Sequence, residues 1–180
     1  MGSRLSLTAL ALVAGLVAAP TASFAQAGDQ GSGEVTKVLA SAGAGFNTEA
    51  VQSLLNRGDA AVAAGNLAQA RKDYDNARAA SKQLLAFYRD LSGAFRGLDA
   101  RIPREMDAKG RAALALLAES NLRLAALFRR QNQPEVAVPV LVEVVRLMTP
   151  SNAQGQKAYQ SLLELGFVET PFAAAKAGSN

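Results

Sequence analysis

Between residues 47 and 167, apolar and small residues recur at steps of three and four, the pattern of helices that each bury one face. Asn47 or Thr48 can cap a first helix, in which Val51, Leu54, Leu55, Ala61 and Val62 keep the helical period until Gly65 and Asn66 end it. The following stretch, GNLAQARKDYDNARAASKQLLAFYRDL, begins a much longer helix. Its inner face runs Leu67, Ala70, Tyr74, Ala77, Ser81, Leu84, Tyr88, Leu91 and Phe95 in heptad spacing, and Gly93 and Gly97 close it. A rod-like coiled coil would keep large aliphatics along that whole seam. Here the first half is thin, which suits close pairing with the first helix, and the second half is bulky, which predicts packing against helices three and four.

The segment RGLDARIPREMDAKG, residues 96–110, contains Pro103, Gly97 and Gly110 and reads as a connector. A third helix then carries Leu114, Leu117, Asn121, Leu124 and Phe128 on one face and stops near Gln131. In QPEVAVPVLVEVVRLMTP valine falls at every second position from 136 to 144, which mimics a strand. Pro134 suits a first helical position, Pro139 suits a strand interior badly, and Ala137, Leu141, Val144 and Met148 keep helical steps, so a fourth helix is expected. Pro139 predicts a kink or a late start there. Ser151 can cap a fifth helix with Ala158, Tyr159, Leu162 and Leu163, ended by Gly166. The fold class is therefore all-α: about five helices in antiparallel pairs, one of them long.

The two ends read differently. Residues 1–25 carry Arg4, an apolar run from Leu5 to Ala19, and a small-residue stretch ending Ser23-Phe24-Ala25, the three parts of a secretory signal peptide. The run falls short of the ~20 apolar residues that a membrane span needs. Residues 26–46, with five glycines among small or polar neighbours, read as a flexible tether holding at most a short helix near 35–42. Residues 168–180 read as a disordered tail. An exported protein, periplasmic or extracellular, is the expectation, with no transmembrane span after cleavage.

Six positions recur at a fixed distance. Leu54, Gly58, Ala61, Ala70, Tyr74 and Ala77 reappear 67 places later as Asn121, Ala125, Phe128, Ala137, Leu141 and Val144, close to twice a 34-residue unit. This resembles the tetratricopeptide repeat, in which small residues let two antiparallel helices approach closely and a large one fills the groove between pairs. The resemblance covers residues 51–81 and 118–149. Leu54 and Asn121 stand where the family has Trp, Lys82 stands at the place of the closing Pro in the first copy, and Pro150 lies one residue off in the second. The resemblance implies a degenerate scaffold of helical pairs that binds a protein partner. Some members grip a C-terminal carboxylate with Asn and Lys, but Asp59 and Ala126 occupy that face here, so the clamp is not expected.

Composition narrows the chemistry. The chain has no His and no Cys, which excludes a His- or Cys-ligated metal, a His-based triad and a disulfide framework; no cofactor is expected. Asp99 and Glu105 could act as the paired carboxylates of a glycosidase, but no Trp is present to stack a sugar. The protein is read as a non-enzyme. Residues 70–130 carry 13 Lys and Arg against 7 Asp and Glu, so the centre is basic. For an exported chain this points to an acidic protein or an anionic membrane face, not to nucleic acid.

The densest charge surrounds the connector, in Arg96, Asp99, Arg101, Arg104, Glu105, Asp107, Lys109 and Arg111; the first five of these are the candidate partner-binding residues, because guanidinium groups grip carboxylates in bidentate fashion. The competing reading pairs those charges among themselves and caps helix three. The leading expectation is a scaffold that assembles or stabilises an envelope complex through a membrane-associated protein partner. A small-ligand or lipid carrier lined by the apolar fourth helix, and a peripheral membrane-surface protein, stay open beside it.

Overall fold

A computed structural model describes residues 46–172. The signal peptide, the tether up to residue 45 and the tail from residue 173 lie outside the described residues. Within them are five helices and no strand: α1 (Thr48–Ala63), α2 (Leu67–Ala94), α3 (Arg101–Arg130), α4 (Pro134–Met148) and α5 (Ala153–Glu164).

Asn47 caps α1 by accepting the N–H of Ala50 at 2.7 Å. At its other end Gly65 takes φ +76° while Asn66 donates to the Ala61 carbonyl at 2.8 Å, closing the helix in a left-handed turn that favours glycine. Asn132, 67 places later, takes φ +56°, and Gln133 donates to the Phe128 carbonyl at 2.9 Å. The recurrence therefore reaches the backbone. α1 and α3 end 67 residues apart, at Ala63 and Arg130, and α2 and α4 begin 67 apart, at Leu67 and Pro134. Two hairpins of one design share a register.

Their packing follows the paired positions. Ala70 and Ala77 are fully buried, and a Cβ on Gly58 would sit inside the ring of Tyr74, so α1 and α2 lie close. Ala125, Ala137, Leu141 and Val144 are buried in the second hairpin. α1 is tied to α3 where Arg123 Nε donates to Asp59 at 2.9 Å, and α2 to α4 where Arg78 and Lys82 both bind Glu143. α5 packs on α4. Its cap is Asn152, which accepts from Gln154 N at 2.9 Å, while Ser151 bonds the Thr149 hydroxyl instead. Pro139 lies inside α4, where the burial of Ala137, Val140, Leu141 and Val144 holds the helix through the missing N–H.

Two further expectations change. Residues 96–110 are not one connector, because α3 already begins at Arg101. Pro103 falls in its first turn, where a missing N–H costs nothing, and Asp99 accepts the Arg101 N–H at 2.8 Å as a cap. Gly110 is no breaker either: it is buried against α2, where a Cβ would touch Tyr88 Cβ at 3.7 Å. The bulky half of α2 packs against α3 and not against α4, and Phe46, just ahead of α1, meets its Phe87. The 15 residues of α4 span about 22 Å against about 45 Å for the 30 of α3, so α4 covers only half of α3.

Candidate functional site: a projecting two-helix arm

The unequal helix lengths produce the main surface feature. α1 has 16 residues and α2 has 28, so α2 outruns its partner by about 18 Å, and α3 outruns α4 at the same end. Roughly from Gln83 to Ala115 the two long helices pair mainly with each other, although Phe46, just ahead of α1, packs edge-on against Phe87 and Gln154 of α5 donates to the Ala115 carbonyl at 3.0 Å. They form an antiparallel arm whose seam holds Leu84, Leu85, Met106, Gly110 and Ala113. Ser92, buried near its end, donates to Asp107 at 2.7 Å and pins the outer turns together.

The tip is a hollow of about 360 Å³ lined by Arg96, Gly97, Leu98, Asp99, Ala100 and Pro103. Leu98 is 80% exposed at its rim. The sequence-derived residues surround this tip without converging. Asp99 and Arg101 take each other, with Arg101 Nη2 donating at 2.7 Å. That bond, seconded by the Arg101 backbone N–H, holds the Asp99 carboxyl below the usual carboxylate range. Glu105 is taken up by Lys109 at 2.6 Å, one turn further along α3. Arg96 and Arg104 are exposed and make no ion pair among the described residues.

One flank of the arm holds a second hollow, about 210 Å³, floored by Leu85, Met106, Gly110 and Leu114 and rimmed by Arg89 and Arg111. These two arginines also make no ion pair among the described residues. Sequence reasoning did not select them as site residues. The signal was present: Lys82 and Arg89 on α2, and Arg104 and Arg111 on α3, are each seven residues apart, two turns along one face.

A larger open groove of about 570 Å³ runs between α3 and α5 over Leu122, Ala125 and Ala126. Most of its charge is already committed. Arg123 binds both Asp59 and Glu119, and Arg129 binds Glu164 at 3.0 Å, which leaves Lys157 without an ion pair among the described residues. Tyr74, beneath this network, donates to Asp59 at 2.6 Å. Burial, and then the Asp59 bond, push its phenol above the ordinary tyrosine range. Burial alone would raise Asp59, but the bonds from Arg123 and Tyr74 outweigh it and hold the carboxyl low. A phenol and a carboxylate shifted in these directions are locked in their neutral-pH forms and suit cross-bracing better than proton transfer.

Among the described residues no helix is long and apolar enough to cross a membrane, and no three acidic side chains gather as metal ligands. Compared with protein-family models, curated proteins and solved structures, the chain finds no match in any of the three.

Proposed function

We propose that the protein is an exported, non-enzymatic helical scaffold of tetratricopeptide-like hairpins that binds a protein partner through its projecting arm, as an assembly or stability factor for an envelope complex. The observation that carries this reading is the arm itself. Two helices extend past the rest of the fold with Leu98 exposed and with Arg89, Arg96, Arg104 and Arg111 in no ion pair among the described residues. Beside them Asp99 pairs with Arg101 and Glu105 with Lys109, which leaves these four arginines unbridged. Placing binding residues at the end of a rigid element is a common use of a scaffold. The N-terminal pattern supports export, and the shared 67-residue register supports the repeat-like reading. The carrier alternative has less support, since α4 contributes only Leu141 to the large groove and turns its other buried residues into the core.

The test is affinity capture of the full chain from its native host, comparing unaltered protein with Arg96→Gln/Arg104→Gln. Loss of the co-purifying partner with an unchanged melting temperature supports the arm as the binding element. A large melting loss with a proportionate loss of capture reassigns the arm to structure. A mature chain that begins at Met1 in cells refutes export.

A further inference from the structure

The charges of the arm are segregated, and this bears on what it binds. On α3, Arg111 rims the 210 Å³ hollow and Arg104, two turns earlier, stands on the same helical face outside it, while Glu105 and Lys109 pair with each other on another side. On α2, Arg89 rims that hollow, and Lys82, two turns earlier, continues the row until Glu143 takes it up. Asp107 is the one carboxylate among the described residues that line the hollow, and it accepts the Ser92 hydroxyl. The hollow thus has one unbridged arginine from each helix, Arg89 and Arg111, at the rim of a recessed apolar floor made by Leu85, Met106, Gly110 and Leu114.

Resting on the scaffold reading, we infer that this flank docks an acidic amphipathic helix of a protein partner, laid along the α2–α3 seam as a third helix. One large apolar side chain of the partner fills the hollow, and carboxylates on either side of it meet Arg89 and Arg111. The charge pattern calls for acidic flanks. Arg89 and Arg111 make no ion pair among the described residues, so a partner's carboxylates need not compete with existing bridges there. The recessed floor calls for a helix rather than a lipid surface. A membrane is engaged by apolar side chains that protrude past the cations, whereas Met106 here is 7% exposed and lies below them. A helix with apolar residues at three- and four-residue steps presents one knob per turn to such a groove.

The experiment places photoreactive benzoylphenylalanine at position 108 in the full chain, expressed in its native host. Ala108 is exposed and stands four residues after Arg104 and three before Arg111, so it borders the basic flank without entering the seam. A second variant carries the same group in place of Ala126, in the α3–α5 groove. After irradiation and digestion, the peptide joined at position 108 is sequenced. The expected product is a helix-periodic segment rich in Asp and Glu, with its yield lowered about tenfold in Arg89→Gln/Arg111→Gln and largely kept in Arg89→Lys/Arg111→Lys. Raised salt should weaken the adduct of the otherwise unaltered chain in parallel, a check independent of how any arginine variant folds. A lipid adduct, a neutral or basic peptide, or a yield indifferent to both charge and salt overturns the inference. Cross-linking at position 126 alone overturns it while keeping the scaffold reading, and absence of adducts at both positions overturns both.

Discussion

Asn121 tests how far the fold can be reasoned from its polar atoms. It is fully buried in α3, and neither its side-chain oxygen nor its nitrogen has a hydrogen-bond partner. The first hairpin carries Leu54 at the equivalent place. Burying unsatisfied polar groups costs ~1–3 kcal/mol each, so relieving the amide's two ends is worth about 3 kcal/mol. Leucine keeps the same branching at Cγ, but its methyls are bulkier than the amide atoms, and tighter packing takes back about 1 kcal/mol. Asn121→Leu should therefore stabilise by about 2 kcal/mol. At about 4 °C per kcal/mol for a domain of this size, the melting temperature followed by far-ultraviolet circular dichroism rises by about 8 °C. Asn121→Ala, which removes the polar burden but leaves a gap, should be near neutral. If both variants melt well below the parent, the amide is satisfied in the native protein and the reasoning fails.

Other consequences follow from single contacts. Gly58→Ala drives a Cβ into the Tyr74 ring, which its bond to Asp59 keeps from moving aside, and should cost ~1–3 kcal/mol in urea unfolding; a neutral result would mean that α1 and α2 separate freely. Ala77→Leu, at a fully buried position on the thin half of α2, should cost a similar ~1–3 kcal/mol by the same measurement. Burial would raise the pKa of Glu143, but bonds from Lys82 and Arg78 hold it below the ordinary value, so it is more acidic folded than unfolded. Its contribution is then whole above the ordinary glutamate value of about 4.3 and is lost as pH falls through the lower folded one. Glu143→Gln should flatten the fall in melting temperature between about pH 5 and pH 3, and an unchanged slope would show that the α2–α4 bridge is not formed in solution.

Helix type and number are legible in the sequence because burial of one face imposes a period that a few odd residues cannot erase. The valine alternation of α4 shows this: Ala137, Leu141 and Val144 keep helical steps and are among the positions found buried. The start of α3 is not legible, because proline and glycine have meanings that depend on where they fall. Pro103 would end a helix in mid-run but is harmless in a first turn, and Gly110 marks either a break or a close helix contact. Sequence position alone does not separate the two cases. A cap helps: Asp99, two residues before the first helical N–H that it accepts, is a start signal inside a stretch that otherwise reads as a loop.

The same boundary governs where the site is sought. If residues 96–110 are a loop, then Arg96, Asp99, Arg101, Arg104 and Glu105 form one cluster by proximity in sequence. With α3 running from Arg101, proximity in sequence stops meaning proximity on the surface, since adjacent helical residues point about 100° apart. Arg104 and Glu105 then part company, and Arg104 joins Arg111, seven residues away. The same step joins Arg89 to Lys82 on α2. Charges counted along the chain make a basic centre with acids mixed in; charges counted by helical face place Arg89 and Arg111, in no ion pair among the described residues, across an apolar hollow with the single carboxylate of Asp107. A register 67 residues long supplies the rest of the physical account. Because both hairpins turn at the same end, at Gly65 and Asn132, the extra length of α2 and α3 can emerge only at the opposite end, and it emerges there together, as a single arm.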